Sequence, residues 1–226
     1  MSPSLLSLVA ALASLASPAL ADDEVASVHR WSIDASTGAS YVTDRSFDLV
    51  GGSDALPVGD FRLSFTPGWV HDHLELNAAY VILGEGGSAL STWQTSFQMQ
   101  SVQLGALYRW RPSEVLSFFG RGAFVLDIDR LSLAASNDSL PLAQSALTAG
   151  VLLGAGTELT FVHARRFDAG ITLEVGYALR FNPARFDQMK PDEGGAKPAP
   201  IAFESVNAGS FDVSGIQWRL GLAVHF

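Results

Sequence analysis

The chain has 226 residues, of which 48% are hydrophobic and only 16% are charged, and its formal net charge is −9. This length suits one domain with a sizeable apolar surface. Phosphate binding needs clustered Lys and Arg, so the negative charge and the presence of only two lysines, Lys190 and Lys197, exclude a nucleic-acid partner. The chain contains no cysteine, which excludes a disulfide scaffold and thiol chemistry.

The first residues predict export. Residues 1–21 hold an apolar run from Leu5 to about Ala16, then Ala19-Leu20-Ala21, and the acidic residues Asp22 and Asp23 follow. This pattern predicts a cleaved signal peptide at 1–21 and a mature domain at 22–226. A short membrane anchor is the alternative, because no Lys or Arg precedes the apolar run. No later apolar run reaches the roughly 18 residues of a spanning helix, so any further membrane crossing must use strands.

The mature chain shows the period-two alternation of β-strands. Eight strands are predicted, at about 28–38, 60–70, 74–83, 95–110, 115–130, 146–162, 169–182 and 216–226. The fifth is the least regular, because Phe119 and Val125 share its polar face. Long connections (39–59, 84–94, 131–145 and 183–208) alternate with short ones (71–73, 111–114 and 163–167). This arrangement is typical of an eight-stranded antiparallel up-and-down transmembrane barrel with long extracellular loops and short periplasmic turns.

One face of the predicted strands is crowded with large apolar side chains, and the other carries Gly, Ser and charges of both signs. The interior of an eight-stranded barrel is just wide enough for side chains, so the small and charged face is predicted to lie inside. The strands are long for a soluble sheet and suit tilted membrane spans. A soluble lipocalin-like barrel that binds an apolar ligand in its interior is the alternative.

The inward face is predicted to form a polar network in the lumen. An unpaired charge in a confined interior costs several kcal/mol, so these groups are expected to pair across the barrel. A structural plug of salt bridges is favoured over a narrow polar pore or gate. The predicted members are Arg30, Asp34, Arg62, Glu75, Arg109, Arg121, Asp127, Glu158, Glu174, Arg180 and Arg219.

Aromatic residues gather toward the predicted strand ends, as in the interfacial girdles of membrane barrels. The predicted girdle residues are Trp31, Trp69, Tyr80, Trp110, Phe161, Tyr177, Phe181 and Trp218.

The stretches "FRLSFTPGWVHDHLELNAAY", "GAGTELTFVHARRFDAGITLEVGYALRF" and "WRLGLAVHF" resemble the small OmpA-type and OmpX-type outer-membrane β-barrels. The resemblance covers nearly the whole mature chain, and it implies a place in the outer membrane of a Gram-negative-type envelope, with outer-membrane lipid as a partner. The last stretch also resembles the sorting signal read by the outer-membrane assembly machinery. The signal positions would be Leu220, Leu222, Val224 and Phe226.

The histidines argue against an enzyme. Catalytic His residues of outer-membrane barrel enzymes generally lie near the outer leaflet or the extracellular rim, whereas the five histidines here fall near the predicted short-turn rim: His29, His71, His73, His163 and His225. No catalytic residue, metal site or cofactor is therefore predicted; the His71-x-His73 spacing is interpreted as part of a polar turn. Asp127-x-Asp129 is interpreted as two strand residues that share a face rather than as a cation site.

The sequence predicts an integral outer-membrane barrel with a structural or surface-interaction role and no catalysis. A narrow porin-like channel for small solutes and the soluble lipocalin-like barrel are the alternatives. Surface recognition is expected to use the loop at 39–59 and the charged, Pro- and Gly-rich loop after strand seven, which is expected to be mobile. The loop partners are not identified by the sequence.

Overall fold

The computed structural model describes residues 30–44, 55–67, 73–89, 93–135, 141–191 and 206–226. Eight long strands build the barrel: β1 (Trp31–Val42), β2 (Ala55–Phe65), β3 (Leu74–Ala89), β4 (Trp93–Trp110), β5 (Leu116–Ala135), β6 (Leu142–Ala164), β7 (Phe167–Arg180) and β11 (Gly215–His225). Three short strands lie between β7 and β11: β8 (Ala184–Phe186), β9 (Lys190–Pro191) and β10 (Gly209–Phe211). Within the described part of the chain, no helix is long and apolar enough to cross a membrane.

Each long strand pairs antiparallel with its neighbour in the chain, and the first and last long strands close the sheet. The register of β1 and β11 runs from Ser32 opposite His225 to Val42 opposite Gly215. Trp31 and Phe226 extend this closure, since each backbone N–H donates to the other residue's carbonyl, at 2.9 and 2.8 Å. The predicted eight-stranded antiparallel up-and-down barrel is confirmed, whereas its transmembrane placement and its loop lengths stay predictions.

The two ends of the barrel differ, and we call them the turn end and the loop end. The turn end carries the connections at 111–115 and 165–166, and the loop end is the opposite one. Toward the turn end the strands alternate as predicted: on β4, Leu104 and Tyr108 are exposed whereas Gln103, Leu107 and Arg109 are buried. An apolar exterior around a largely polar interior is the reverse of a lipocalin-like barrel over this part of the structure.

Toward the loop end the alternation changes sense. On β4, Gln94 and Gln98 are exposed, whereas Phe97 and Met99 are buried inside the barrel. Because the strands are predicted from apolar residues on the outer face, the prediction places loops where this reversal begins. Residues 39–42, 55–59, 84–89, 93–94, 131–135 and 142–145 are strand rather than loop, and β2 begins at Ala55 and ends at Phe65 rather than spanning 60–70.

The buried apolar residues at the loop end form one cluster inside the barrel, which we call the apolar cap. The connection between β7 and β11 contributes to it from β8, from β10 and from Met189, and the rings of Phe186 and Phe211 lie 5.8 Å apart. The described parts of this connection are therefore packed rather than mobile as expected. The cap consists of Val42, Leu56, Val58, Val81, Leu83, Phe97, Met99, Leu131, Leu142, Ala184, Phe186, Met189, Phe211 and Val213.

Leu104→Arg is expected to destabilise the barrel in lipid bilayers by about 2–4 kcal/mol, because a cation on the lipid face near the bilayer midplane loses its hydration. Gln94→Arg, on the outer face of the same strand near the loop end, is the matched control and is expected to have little effect. Urea unfolding in vesicles measures both. We call the exposed apolar side chains toward the turn end, Leu104 among them, the apolar belt. Equal costs for the two variants would contradict a lipid-facing position of this belt.

Candidate functional site

The inward-facing residues of the strands are the candidate site, because they include nearly all the buried charge of the described chain. The predicted members Asp34, Arg62, Glu75, Arg109, Arg121, Asp127, Glu158, Glu174, Arg180 and Arg219 all lie buried inside the barrel.

Arg30 is an exception and corrects the prediction. It is exposed and precedes β1, where the alternation of the sheet no longer fixes the direction of a side chain. Its backbone carbonyl accepts a hydrogen bond from the N–H of Thr66 at 2.7 Å.

Nearest the turn end, Arg109 joins two carboxylates. Its Nε donates to Glu75 Oε1 at 2.6 Å, and its Nη1 donates to Glu158 Oε2 at 2.5 Å and to Ser117 Oγ at 3.1 Å. The other oxygen of Glu158 lies 2.7 Å from His225 Nε2. We call these five residues the turn-end cluster.

Phe119 explains the irregularity of the predicted fifth strand. Its ring faces into the lumen, 5.6 Å from the guanidinium carbon of Arg109, in a cation–π contact. Gly156 lies opposite it on β6, and a Cβ at that position would lie 2.4 Å from the Phe119 ring. Glycine at 156 therefore makes room for an aromatic ring among the charges.

At mid-height, three arginines share two carboxylates, and we call these five residues the central cluster. Arg62 Nη2 donates to Glu174 Oε2 at 2.5 Å and to Asp60 Oδ2 at 3.3 Å. Arg219 Nη1 donates to Asp60 Oδ2 at 2.5 Å. Arg121 Nη1 donates to Glu174 Oε1 at 3.2 Å. Each guanidinium thus has a carboxylate partner.

Amides complete the central cluster. Arg121 donates to Gln103 Oε1 at 2.9 Å and to Asn77 Oδ1 at 3.3 Å. Arg219 donates to Gln217 Oε1 at 2.7 Å. These neutral amide oxygens accept hydrogen bonds from guanidinium N–H groups that have no carboxylate partner, which lowers the free-energy cost of burying the arginines.

Toward the loop end, Arg180 Nε donates to Asp127, and Thr148 Oγ1 donates to Asp129 Oδ2 at 2.9 Å. We call these four residues the loop-side cluster. Asp129 lies opposite Met99 of the apolar cap in the sheet register, so this cluster borders the cap.

Most of these ion pairs join strands that are not neighbours in the sheet. Arg62 on β2 reaches Glu174 on β7, Arg109 on β4 reaches Glu158 on β6, and Arg219 on β11 reaches Asp60 on β2. The side chains therefore join strands two or three positions apart through the lumen, and so add to the backbone pairing of the wall. Their chemical effect is to neutralise one another and to fill the interior.

Several lumen residues are not among the predicted network members, although they alternate in step with them. His225 lies at the turn end, and its side chain is buried and contacts Glu158. His163, by contrast, is exposed, with Nδ1 3.3 Å from Asp168 Oδ1. His73 is also exposed, and His29 and His71 lie outside the described residues. Asp60, Asn77, Gln103, Asp129 and Gln217 also lie on the inward face within the predicted strands, so the same alternation indicates them.

The predicted girdle residues face outward wherever they are described. Trp31 lies 4.6 Å from Phe65 and Trp110 lies 5.7 Å from Phe118, between ring centroids. Their role in a membrane girdle stays a prediction. The exposed members are Trp31, Tyr80, Trp110, Phe161, Tyr177, Phe181 and Trp218, and Trp69 lies outside the described residues.

Of the four predicted signal residues, Leu220, Leu222 and Phe226 are exposed and Val224 is partly buried. Their reading by the assembly machinery stays a prediction. Within the described ranges, no group of three or more His, Cys, Asp or Glu residues could hold a metal ion.

The barrel is similar to solved structures that include Ail, the attachment invasion locus protein of Yersinia pestis. Ail is 13% identical, with a TM-score of 0.50, over 88% of this chain and 99% of that chain. Neisserial surface protein A is 12% identical, with a TM-score of 0.50, over 90% of this chain and 100% of that chain. No protein-family model matches the chain, and no curated protein matches it either. At these identities the likeness establishes the fold alone.

Arg109→Ala is expected to destabilise the barrel by about 3–5 kcal/mol, because it leaves Glu75 and Glu158 buried without their cation. Arg111→Ala removes an exposed arginine two residues further along and serves as the control, with an expected change near zero. Equilibrium unfolding in detergent micelles measures both. A cost for Arg109→Ala no larger than that of the control would show that the ion pairs do not support the fold.

Proposed function

We propose that the protein is an integral outer-membrane barrel with a closed lumen, which acts in the cell envelope through its loop end and without catalysis. The observation that carries the proposal is the filling of the interior. The turn-end, central and loop-side clusters occupy successive levels of the lumen, and the apolar cap fills the level beyond them.

The ion pairs support closure because at each charged level they join strands that are not neighbours. Arg109 on β4 reaches past β5 to Glu158 on β6 near the turn end, and Arg180 on β7 reaches past β6 to Asp127 on β5 near the cap. Moving an ion through this path would require separating buried charges from their partners, which is costly. A solute would also have to cross the apolar cap.

A narrow channel is the second candidate function. The charged lumen favours it, because breaking the ion pairs of both the turn-end and the central clusters would leave a path lined by polar side chains from the turn end toward Asp129. The cap opposes it, since Phe186, Met189 and Phe211 come from the β7–β11 connection and are buried in the interior. The closed barrel is therefore the better supported of the two.

The loop end supports a surface role. The connection between β7 and β11 contributes buried apolar side chains to the cap and exposes polar side chains to solvent. The exposed residues include Arg185, Gln188 and Lys190. A scaffold that holds such residues in place suits recognition by surface loops. The proposal includes export through a signal peptide cleaved after Ala21 and assembly through the terminal strand.

Planar-bilayer recordings test closure. The wild-type barrel and Arg121→Ala are expected to show no discrete openings, because the apolar cap closes the loop end in both. Combining Arg121→Ala with Phe186→Ser and Phe211→Ser is expected to produce openings, since charge network and cap are then both weakened. Arg121→Ala combined with Arg185→Ala, which alters an exposed neighbour of Phe186, is the control. A heat-sensitive gel shift verifies folding, and discrete openings of the wild type would establish the channel instead.

Single cysteines test the orientation, because the natural chain has none. Ser210→Cys, exposed at the loop end, is expected to react with a membrane-impermeant maleimide on intact cells. Glu114→Cys, exposed at the turn end, is expected to react only after the outer membrane is permeabilised. Leu104→Cys on the apolar belt is the unreactive control. Labelling of Glu114→Cys alone on intact cells would reverse the proposed orientation.

A further inference from the structure

The loop-side cluster and the neighbouring Ser101 contain more oxygen atoms than form hydrogen bonds within the described part of the protein. On the inner wall, Asp127 lies between Ser101 of β4 and Thr148 of β6 in the sheet register. Asp129, two residues further along, lies between Met99 and Ala146. Ser101, Asp127 and Asp129 are 0% exposed and Thr148 is 3% exposed, so bulk water does not solvate these groups.

Three of these oxygens have no hydrogen-bond partner among the described residues: Ser101 Oγ, Asp127 Oδ1 and Asp129 Oδ1. Residues directly opposite in a sheet have Cβ atoms about 4.5–5.5 Å apart, and residues two apart on a strand share a face about 7 Å apart. The three oxygens thus lie on one small patch of the inner wall.

The charge of the patch is also unbalanced. The described chain buries seven carboxylates (Asp34, Asp60, Glu75, Asp127, Asp129, Glu158 and Glu174) and five arginines (Arg62, Arg109, Arg121, Arg180 and Arg219). Arg180 is bound to Asp127, whereas the only hydrogen bond described for the Asp129 carboxylate comes from a neutral threonine. Asp34 is likewise bound by Thr172 at 2.8 Å, but it lies directly opposite Arg62 in the register. Asp129 instead faces Met99 and Ala146 across the strands.

We propose that Ser101, Asp127, Asp129 and Thr148 bind a single small, hard, monovalent cation of the sodium class. Carboxylate and hydroxyl oxygens are the ligands that such ions prefer. A single positive charge is assigned because Arg180 already compensates Asp127, which leaves one uncompensated carboxylate. The site itself concerns only the wall formed by β4, β5 and β6, whereas the enclosure of the ion rests on the closed lumen proposed above.

The ion would be enclosed between the central cluster and the apolar cap, so it is taken up as the barrel folds. The salt must therefore be present while the protein folds. The full mature chain is folded separately in detergent with sodium chloride, choline chloride or calcium chloride at equal ionic strength. Thermal midpoints are read from the loss of the heat-sensitive gel band, and bound sodium is measured by atomic emission after desalting.

The wild type is expected to melt several degrees higher in sodium than in choline, with a midpoint that rises with sodium concentration, because a ligand bound only to the folded state stabilises it. Asp129→Asn is expected to abolish this difference and the bound sodium. Asp34→Asn, which removes another buried carboxylate held by a threonine, is expected to retain both. Ser101→Ala is expected to weaken the sodium dependence and remains informative if Asp129→Asn fails to fold.

Three results would overturn the proposal. Equal wild-type midpoints in sodium and choline without bound sodium would mean that Asp129 carries a proton instead. A sodium effect that persists in both Asp129→Asn and Ser101→Ala would place the ion elsewhere. A larger stabilisation by calcium than by sodium would refute the monovalent assignment.

Discussion

The pairing of arginines with carboxylates across the lumen is the interaction on which the rest of the structure depends. A barrel with an apolar exterior has no ordinary hydrophobic core over that height, so something else must fill and hold its interior. Arg62–Glu174 and Arg219–Asp60 connect strands that the sheet itself does not join. Burying these charges is tolerable because each of the five buried guanidiniums donates to a carboxylate, and Arg121 also donates to the amide of Gln103.

The polarity of the inner and outer faces of the barrel wall is exchanged between its two ends. Near the turn end, Leu104 faces outward and Arg109 inward; near the loop end, Gln98 faces outward and Met99 inward. The second half therefore resembles a soluble β-barrel placed on top of a membrane barrel, with the loop-side cluster at the boundary. Asp129 lies at this boundary, with the charged clusters on one side and the apolar cap on the other. Its position explains why a neutral threonine, rather than an arginine, donates to its carboxylate.

The turn-end half could be predicted from the sequence because one rule holds throughout it. Alternation placed Arg62, Glu158 and Arg219 inside, and the structure buries all three. The rule failed where its physical basis changes: at the loop end the apolar side chains of Phe97 and Met99 turn inward, which breaks the pattern that defined a strand. Ion-pair partners could not be predicted either, since they depend on register and stagger between distant strands. The packing of the segment around Phe186 could not be predicted, because its Pro- and Gly-rich composition is typical of a mobile loop.

The connection between β7 and β11 has a consequence at the outside of the wall as well. β6 begins at Leu142, whereas β7 reaches only as far as Gly150 in the register, so one edge of β6 would be left unpaired over roughly 25 Å. Such an edge is a template for pairing with another chain. Three contacts cover this edge. The first residues of β6 pair with β9, and the N–H of Phe181 donates to the carbonyl of Ala149. Between them, the Gln144 side chain donates to the carbonyl of Arg185 and accepts from the N–H of Gln188. The segment that contributes to the apolar cap thereby also covers an edge through which molecules could otherwise aggregate.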